Sequence, residues 1–176
     1  EPELLYRIDL DSGRTHQLVL PNGSMPHGLR LTTDNKTAII AGMGGDLFLV
    51  DLESKNITTI PLPGKGVQTG VAGDMIQTTV FDTKQLAVYD RTMKSLSLID
   101  LPGSVGPVQV YQTQDNAFAY VTDQGVYFDA PDGHLTFKVD LAAKKVVATI
   151  NTGFAPHGVV VSPDGRVWVT NLNGNS

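Results

Sequence analysis

Leu47-Phe48-Leu49-Val50-Asp51-Leu52, followed by Lys55-Asn56-Ile57-Thr58-Thr59-Ile60 and a Pro63-Gly64 exit, returns 39 positions later as Leu86-Ala87-Val88-Tyr89-Asp90, Lys94-Ser95-Leu96-Ser97-Leu98-Ile99 and Pro102-Gly103. Each copy is an apolar strand ending on Asp, a polar turn, and a second apolar strand. The same unit opens the chain as Leu5-Tyr6-Arg7-Ile8-Asp9, then Thr15 to Leu20, and recurs late as Phe137-Lys138-Val139-Asp140, then Val146 to Ile150. The recurrence at Asp9, Asp51, Asp90 and Asp140 marks an internal repeat.

A second element lies between these pairs: an apolar segment, a short turn rich in Asp, Asn or Gly, and another apolar strand. It reads as Leu29 to Leu31, Asp34-Asn35 and Ala38 to Ala41; as Val108 to Tyr111, Asp115-Asn116 and Ala117 to Val121; and as Val159 to Val161, Asp164-Gly165 and Val167 to Thr170. A weaker copy spans Val67 to Val71, Gly73-Asp74 and Met75 to Phe81. Asp, Asn and Gly suit such turns because they accept positive φ at low cost. One repeat is therefore four antiparallel strands in about 40 residues, the period of a β-propeller blade. The expected fold is all-β, a propeller of about four blades.

The chain opens on the last two strands of a blade and closes on the first two. The expected blades are 21–63, 64–102, 103–153, and 154–176 joined with 1–20, so that the two ends share one blade and hide each other's strand edges. Three assemblies satisfy this pattern: a closed four-bladed ring, a homodimer forming an eight-bladed ring, or one stretch of a larger propeller.

Hydrophobic residues make up 41% of the chain and charged residues 18%, with 18 Gly and 10 Pro spread where turns are needed, which fits a folded all-β chain. No apolar run approaches the roughly 20 residues of a helical membrane span. The net charge of -5 and the scattered Lys and Arg argue against a nucleic-acid partner. With no Cys, disulfides, thiolate metal sites and Cys nucleophiles are excluded.

From Val146-Val147-Ala148-Thr149-Ile150 through Pro156-His157-Gly158-Val159-Val160-Val161-Ser162-Pro163-Asp164-Gly165 to Val167-Trp168-Val169-Thr170-Asn171, the chain resembles the YVTN β-propeller repeat. Trp168 stands in the Tyr place, and in the first blade Thr32-Thr33-Asp34-Asn35 replaces the Ser-Pro-Asp-Gly turn. The resemblance implies a bacterial or archaeal protein that is exported: periplasmic, cell-surface or secreted. Members include surface proteins, lactonase-like and lyase-like enzymes and propellers with metal or cofactor sites, so the resemblance leaves function open.

Two histidines stand out. Pro26-His27-Gly28 and Pro156-His157-Gly158 occupy one position of two repeats, just before the innermost strand, and the shared blade would make their blades neighbours. Such positions converge on one mouth of the central channel. His27 and His157 are accordingly the candidate catalytic residues, as acid or base, and the candidate ligands for a divalent metal ion. The Pro-His-Gly form also looks like segments of streptogramin lyases and of the copper propeller of nitrous oxide reductase. Against this, the matching positions elsewhere read as Gly66 and Val108, which cannot ligate, and a catalytic zinc takes three protein ligands. The competing reading is that Pro-x-Gly is a turn with a solvent-facing residue in its middle. His16 and His134 read as surface residues.

The third repeat carries an insertion, Asp123 to His134, expected as an extra hairpin with Asp-capped turns, with Ca²⁺ binding through its three Asp as the alternative. The chain has no G-x-S-x-G elbow, H-E-x-x-H pair or P-loop. The regular Asp residues at the strand ends suit turn capping better than paired-carboxylate catalysis. The expected function is a binding or scaffold module presenting its channel mouth to a small molecule or protein partner. The alternative is a lyase-like or lactonase-like enzyme using His27 and His157.

Overall fold

Alternating apolar and polar residues, broken every five to nine residues by Gly, Asn or Asp turns, produce strands and nothing else. A computed structural model describes residues 2–174 as sixteen strands. Leu4–Ile8 (β1) and Thr15–Val19 (β2) form a hairpin. Pro26–Leu31 (β3), Thr37–Gly42 (β4), Asp46–Asp51 (β5) and Ile57–Pro61 (β6) form the first four-stranded blade. Gly66–Ala72 (β7), Met75–Val80 (β8), Gln85–Asp90 (β9) and Ser95–Asp100 (β10) form the second. Pro107–Gln112 (β11), Phe118–Gly125 (β12), Asp132–Asp140 (β13) and Lys145–Asn151 (β14) form the third. Pro156–Val161 (β15) and Val167–Asn171 (β16) close the series as a hairpin. Every pairing is antiparallel between consecutive strands, so three whole blades and two half-blades account for four blades of strands.

The repeating Asp residues are turn caps. Asp51 accepts hydrogen bonds from the amides of Glu53 and Ser54 and from the Ser54 hydroxyl, and Asp9 accepts the amide and hydroxyl of Ser12. Asp90 and Asp140 accept amides two or three residues on. A second device closes the β3–β4, β11–β12 and β15–β16 turns, where the Thr32, Thr113 and Ser162 hydroxyls donate to Asp34, Asp115 and Asp164. Thr32-Thr33-Asp34 thus does in the first blade what Ser162-Pro163-Asp164 does in the last, because the turn needs only a hydroxyl two residues before a carboxylate.

Strand alternation sends successive side chains to opposite faces of a blade, and each face packs on a neighbour. In β4, Ile39 joins Leu47 and Ile60 against Ile76, Val80, Ala87 and Tyr89 of the second blade. Ala38 and Ile40, one residue either side, pack with Phe48 and Val50 against Leu5, Leu18 and Leu20 of the N-terminal hairpin. In β9, Leu86 and Val88 turn the other way and meet Val110, Val121, Phe137 and Val139 of the third blade. Phe48, Phe137, Ile39 and Leu86 have no exposed surface, and burying side chains of this size contributes about 1.5–3 kcal/mol each.

Among the described residues no hydrogen-bonded pairing joins β16 to β1. The β1–β2 and β15–β16 hairpins are separate two-stranded sheets, and among the described residues the inner strands pack in an open series, β3 on β7, β7 on β11 and β11 on β15.

The insertion lengthens an existing hairpin rather than adding one. The β12–β13 pairing runs on through Asp123↔Leu135 to Gly125↔Asp132, with residues 126–131 at the tip. Of its carboxylates, Asp123 is buried and accepts from the Ser104 hydroxyl and the amides of Val105 and Gly106, and Asp132 accepts from the side-chain amide of Asn173.

Candidate functional site at the inner-strand bulges

All four inner strands break register at one point. Pro26 faces Gly42, Gly66 faces Val80, Pro107 faces Asp123 and Pro156 faces Asn171, and in each strand the pairing then shifts. This bulge makes His27, Val67, Val108 and His157 equivalent positions. The residue matching the histidines in the second blade is therefore Val67, not Gly66, because the bulge adds a residue that spacing alone does not reveal.

The bulge carbonyls link one blade to the next. The Thr79 hydroxyl on β8 donates to the Val108 carbonyl over 2.8 Å, and the Thr122 hydroxyl on β12 donates to the His157 carbonyl over 2.7 Å. The first blade has Ala41 at this place in β4, and the ring of His27 takes over, with Nδ1 2.9 Å from the Val67 carbonyl oxygen. A carbonyl only accepts, so His27 donates from Nδ1. The ring of His157 turns back toward the third blade, where Nδ1 meets the side-chain carbonyl of Gln124. Gln124 is fully buried, and its Nε2 has no hydrogen-bond partner among the described residues.

The lengthened β12–β13 hairpin lies over this end. Ala130 packs on Val67, Phe81 and Val108, and Phe128 meets Phe81 edge-on at 5.1 Å between ring centres. The Lys65 ammonium stands 5.0 Å above the Phe128 ring and pairs with Asp82 at 3.0 Å. Partial burial works to raise the Asp82 pKa, but the Lys65 amide and ammonium outweigh it and hold the carboxyl below its ordinary value.

Within this chain His27 and His157 are not neighbours. They stand on β3 and β15, with β7 and β11 packed between those two strands. Among the described residues no three His, Asp or Glu side chains gather to hold a metal ion, and two separated imidazoles do not make a metal site in one copy. His16 and His134 are exposed on β2 and β13. Gln124, Thr122 and Thr79 escaped the sequence reading, although Thr79, Thr122 and Thr170 recur at one repeat position and could have signalled a shared role.

Residues 155–176 match the NHL repeat, overlapping the segment that resembles the YVTN repeat. No curated protein matches the chain in sequence. The fold is similar to a hydrazine synthase structure from Kuenenia stuttgartiensis, at 20% identity and a TM-score of 0.73 over 82% of this chain and 41% of that one. It is also similar to a virginiamycin B lyase from Staphylococcus aureus, at 12% identity and a TM-score of 0.76 over 98% of this chain and 64% of that one. A chain of a mitotic checkpoint complex superposes at 12% identity and a TM-score of 0.80, over 97% of this chain and 52% of that one. The chain thus spans between two fifths and just under two thirds of these structures. Identities this low establish the fold: a β-propeller module carrying an NHL-type repeat.

Proposed function

We propose that this propeller acts as a binding module that takes up a small hydrogen-bonding ligand at the bulge end of its inner strands. The observation that carries this reading is the His157–Gln124 pair. A buried amide orients the imidazole through Nδ1, and the amide's own Nε2 has no hydrogen-bond partner among the described residues. Buried polar groups of this kind are met by water or by a ligand. The buried cluster of Val67, Phe81 and Val108, covered by Ala130 at the tip of the β12–β13 hairpin, holds this end of the blades rigid, as a binding site needs. The YVTN-like stretch around His157 supports the same reading and an exported location, in the periplasm, at the cell surface or secreted.

The test is a fragment titration followed by NMR on uniformly labelled protein. Shifts should cluster on His27, Val67, Val108, Gln124 and His157, and they should vanish in His157→Ala and Gln124→Leu. Shifts confined to other surfaces would defeat the proposal.

A second reading, a lyase-like or lactonase-like enzyme with His157 as general base, draws on the imidazole held through Nδ1 by Gln124 and on the fold shared with virginiamycin B lyase. Turnover of a lactone that is lost in His157→Ala would favour it over simple binding.

A further inference from the structure

We propose that a second site, at the outer boundary between the β1–β2 hairpin and the first blade, binds a small amphiphilic carboxylate with an apolar body and one negative charge. A cavity of about 210 Å³ opens there, at the end of β5 away from the bulges. Its walls are Leu5, Leu18, Val50 and Leu52, and Arg7, His16 and Lys55 stand around them.

Strand register makes this arrangement. Leu5 faces Leu18 and Arg7 faces His16, so alternation puts all four side chains on the one face of the hairpin that meets the first blade. The two leucines pack there against Phe48 and Val50, and the two basic residues continue the same face outward beside the end of β5. Among the described residues Arg7, His16 and Lys55 have no ion pair and no side-chain hydrogen bond, and Arg7 acts on Asp9 only through space.

The boundary between the first and second blades explains the space. Counted back from the turn residues Asp9, Asp51 and Asp90, Arg7 matches Leu49 and Val50 matches Tyr89. Leu49 and Tyr89 pack in one apolar cluster with Ile39, Ile76 and Leu96. In the cavity a long cation stands in the place of that leucine and a smaller side chain in the place of that tyrosine. The apolar layer therefore stops short of the outer edge, and a hollow with a basic rim takes its place.

The lining selects the ligand. At about 210 Å³ the cavity is smaller than the roughly 300–1,000 Å³ of sites for drug-sized molecules, which suits a ring or a short alkyl chain. Arg7 and Lys55, beside apolar walls, offer charge-assisted hydrogen bonds to an anion, and the planar fork of Arg7 fits a carboxylate. Asp51 also lines the cavity and is kept ionised by the amide and hydroxyl of Ser54 and the amide of Glu53. A single negative charge is thus accepted where the double charge of a phosphate is repelled.

The test is an NMR titration of the uniformly labelled full chain with octanoate below its micellar concentration, with octanol and inorganic phosphate as comparisons. Octanoate should shift the methyl signals of Leu5, Leu18, Val50 and Leu52, and phosphate should not. Octanol, and octanoate added to Arg7→Leu, should each bind roughly five- to tenfold more weakly than octanoate binds the wild type. Arg7 is exposed, so this variant should keep the far-UV spectrum of the wild type. Val50→Tyr, which places in the cavity the side chain that Tyr89 carries at the next boundary, should abolish the shifts. His157→Ala should leave them unchanged, because its ring lies at the other end of the blades. Octanol binding as well as octanoate, an Arg7→Leu variant with wild-type affinity, or equal shifts from phosphate would overturn the proposal. Octanoate shifts confined to Gln124 and His157 would overturn it while supporting the site at the bulges.

Discussion

The Thr79 hydroxyl reaches across the boundary between the second and third blades to the carbonyl of Val108, 2.8 Å away, while accepting the Gln68 amide at 3.1 Å. One buried side chain thus completes a bulge in its own blade and fastens the next. Thr79→Val keeps the shape and deletes both bonds, leaving a buried amide and a buried carbonyl without this partner. The expected cost is about 1–3 kcal/mol. Urea denaturation should show a lower midpoint with an unchanged slope.

His27 performs the corresponding link from an exposed position, with one bond to the Val67 carbonyl. His27→Ala should therefore cost no more than about 1 kcal/mol. Loss of ligand-induced NMR shifts in this variant, with the melting temperature nearly unchanged, would place His27 in the binding site; a large drop in melting temperature would mark it as structural.

Asp123 is buried and gathers the Ser104 hydroxyl with two successive amides at the entrance to β11. Hydrogen bonds to an ionised carboxylate are the stronger kind. Asp123→Ala should destabilise the protein by about 3 kcal/mol and should disorder residues 104–106 along with the β12–β13 tip, which hydrogen exchange would report.

Gly133 sits where a Cβ would overlap the carbonyl of Asp123 across the β12–β13 pair. Gly133→Ala should push the lengthened hairpin away from its partner strand and loosen the Phe128–Phe81 contact. The measurable outcome is faster exchange of the Gly125 amide, with the first blade unaffected.

The turn carboxylates predict the acid response. Asp9, Asp34, Asp115 and Asp164 are held below their ordinary value of 3.8 chiefly by the hydroxyls of Ser12, Thr32, Thr113 and Ser162, and Asp51 by the amide of Ser54. A carboxyl depressed in the folded state adds stability above its unfolded pKa, and that stability is lost as pH falls through the folded value. The melting temperature should be flat above about pH 5 and should fall steadily below about pH 4. Asp51→Asn should lower the plateau and reduce the acid slope.

The strands, their pairing order and the turn chemistry were legible in the chain itself, because each depends on neighbours within one repeat: alternation sets the faces, and an Asp with a Ser or Thr nearby sets the turn. The equivalence of Pro26-His27-Gly28 and Pro156-His157-Gly158 was legible for the same reason. The role of Gln124 and the match of Val67 to His27 were not, since a bulge shifts register without leaving a mark in the spacing. Tertiary packing alone decided which side chains meet across blade boundaries, Ile39 with Ile76 at one and Val88 with Val110 at the next, because these contacts join residues far apart in the chain. The same packing sets His27 on β3 and His157 on β15, with β7 and β11 between them.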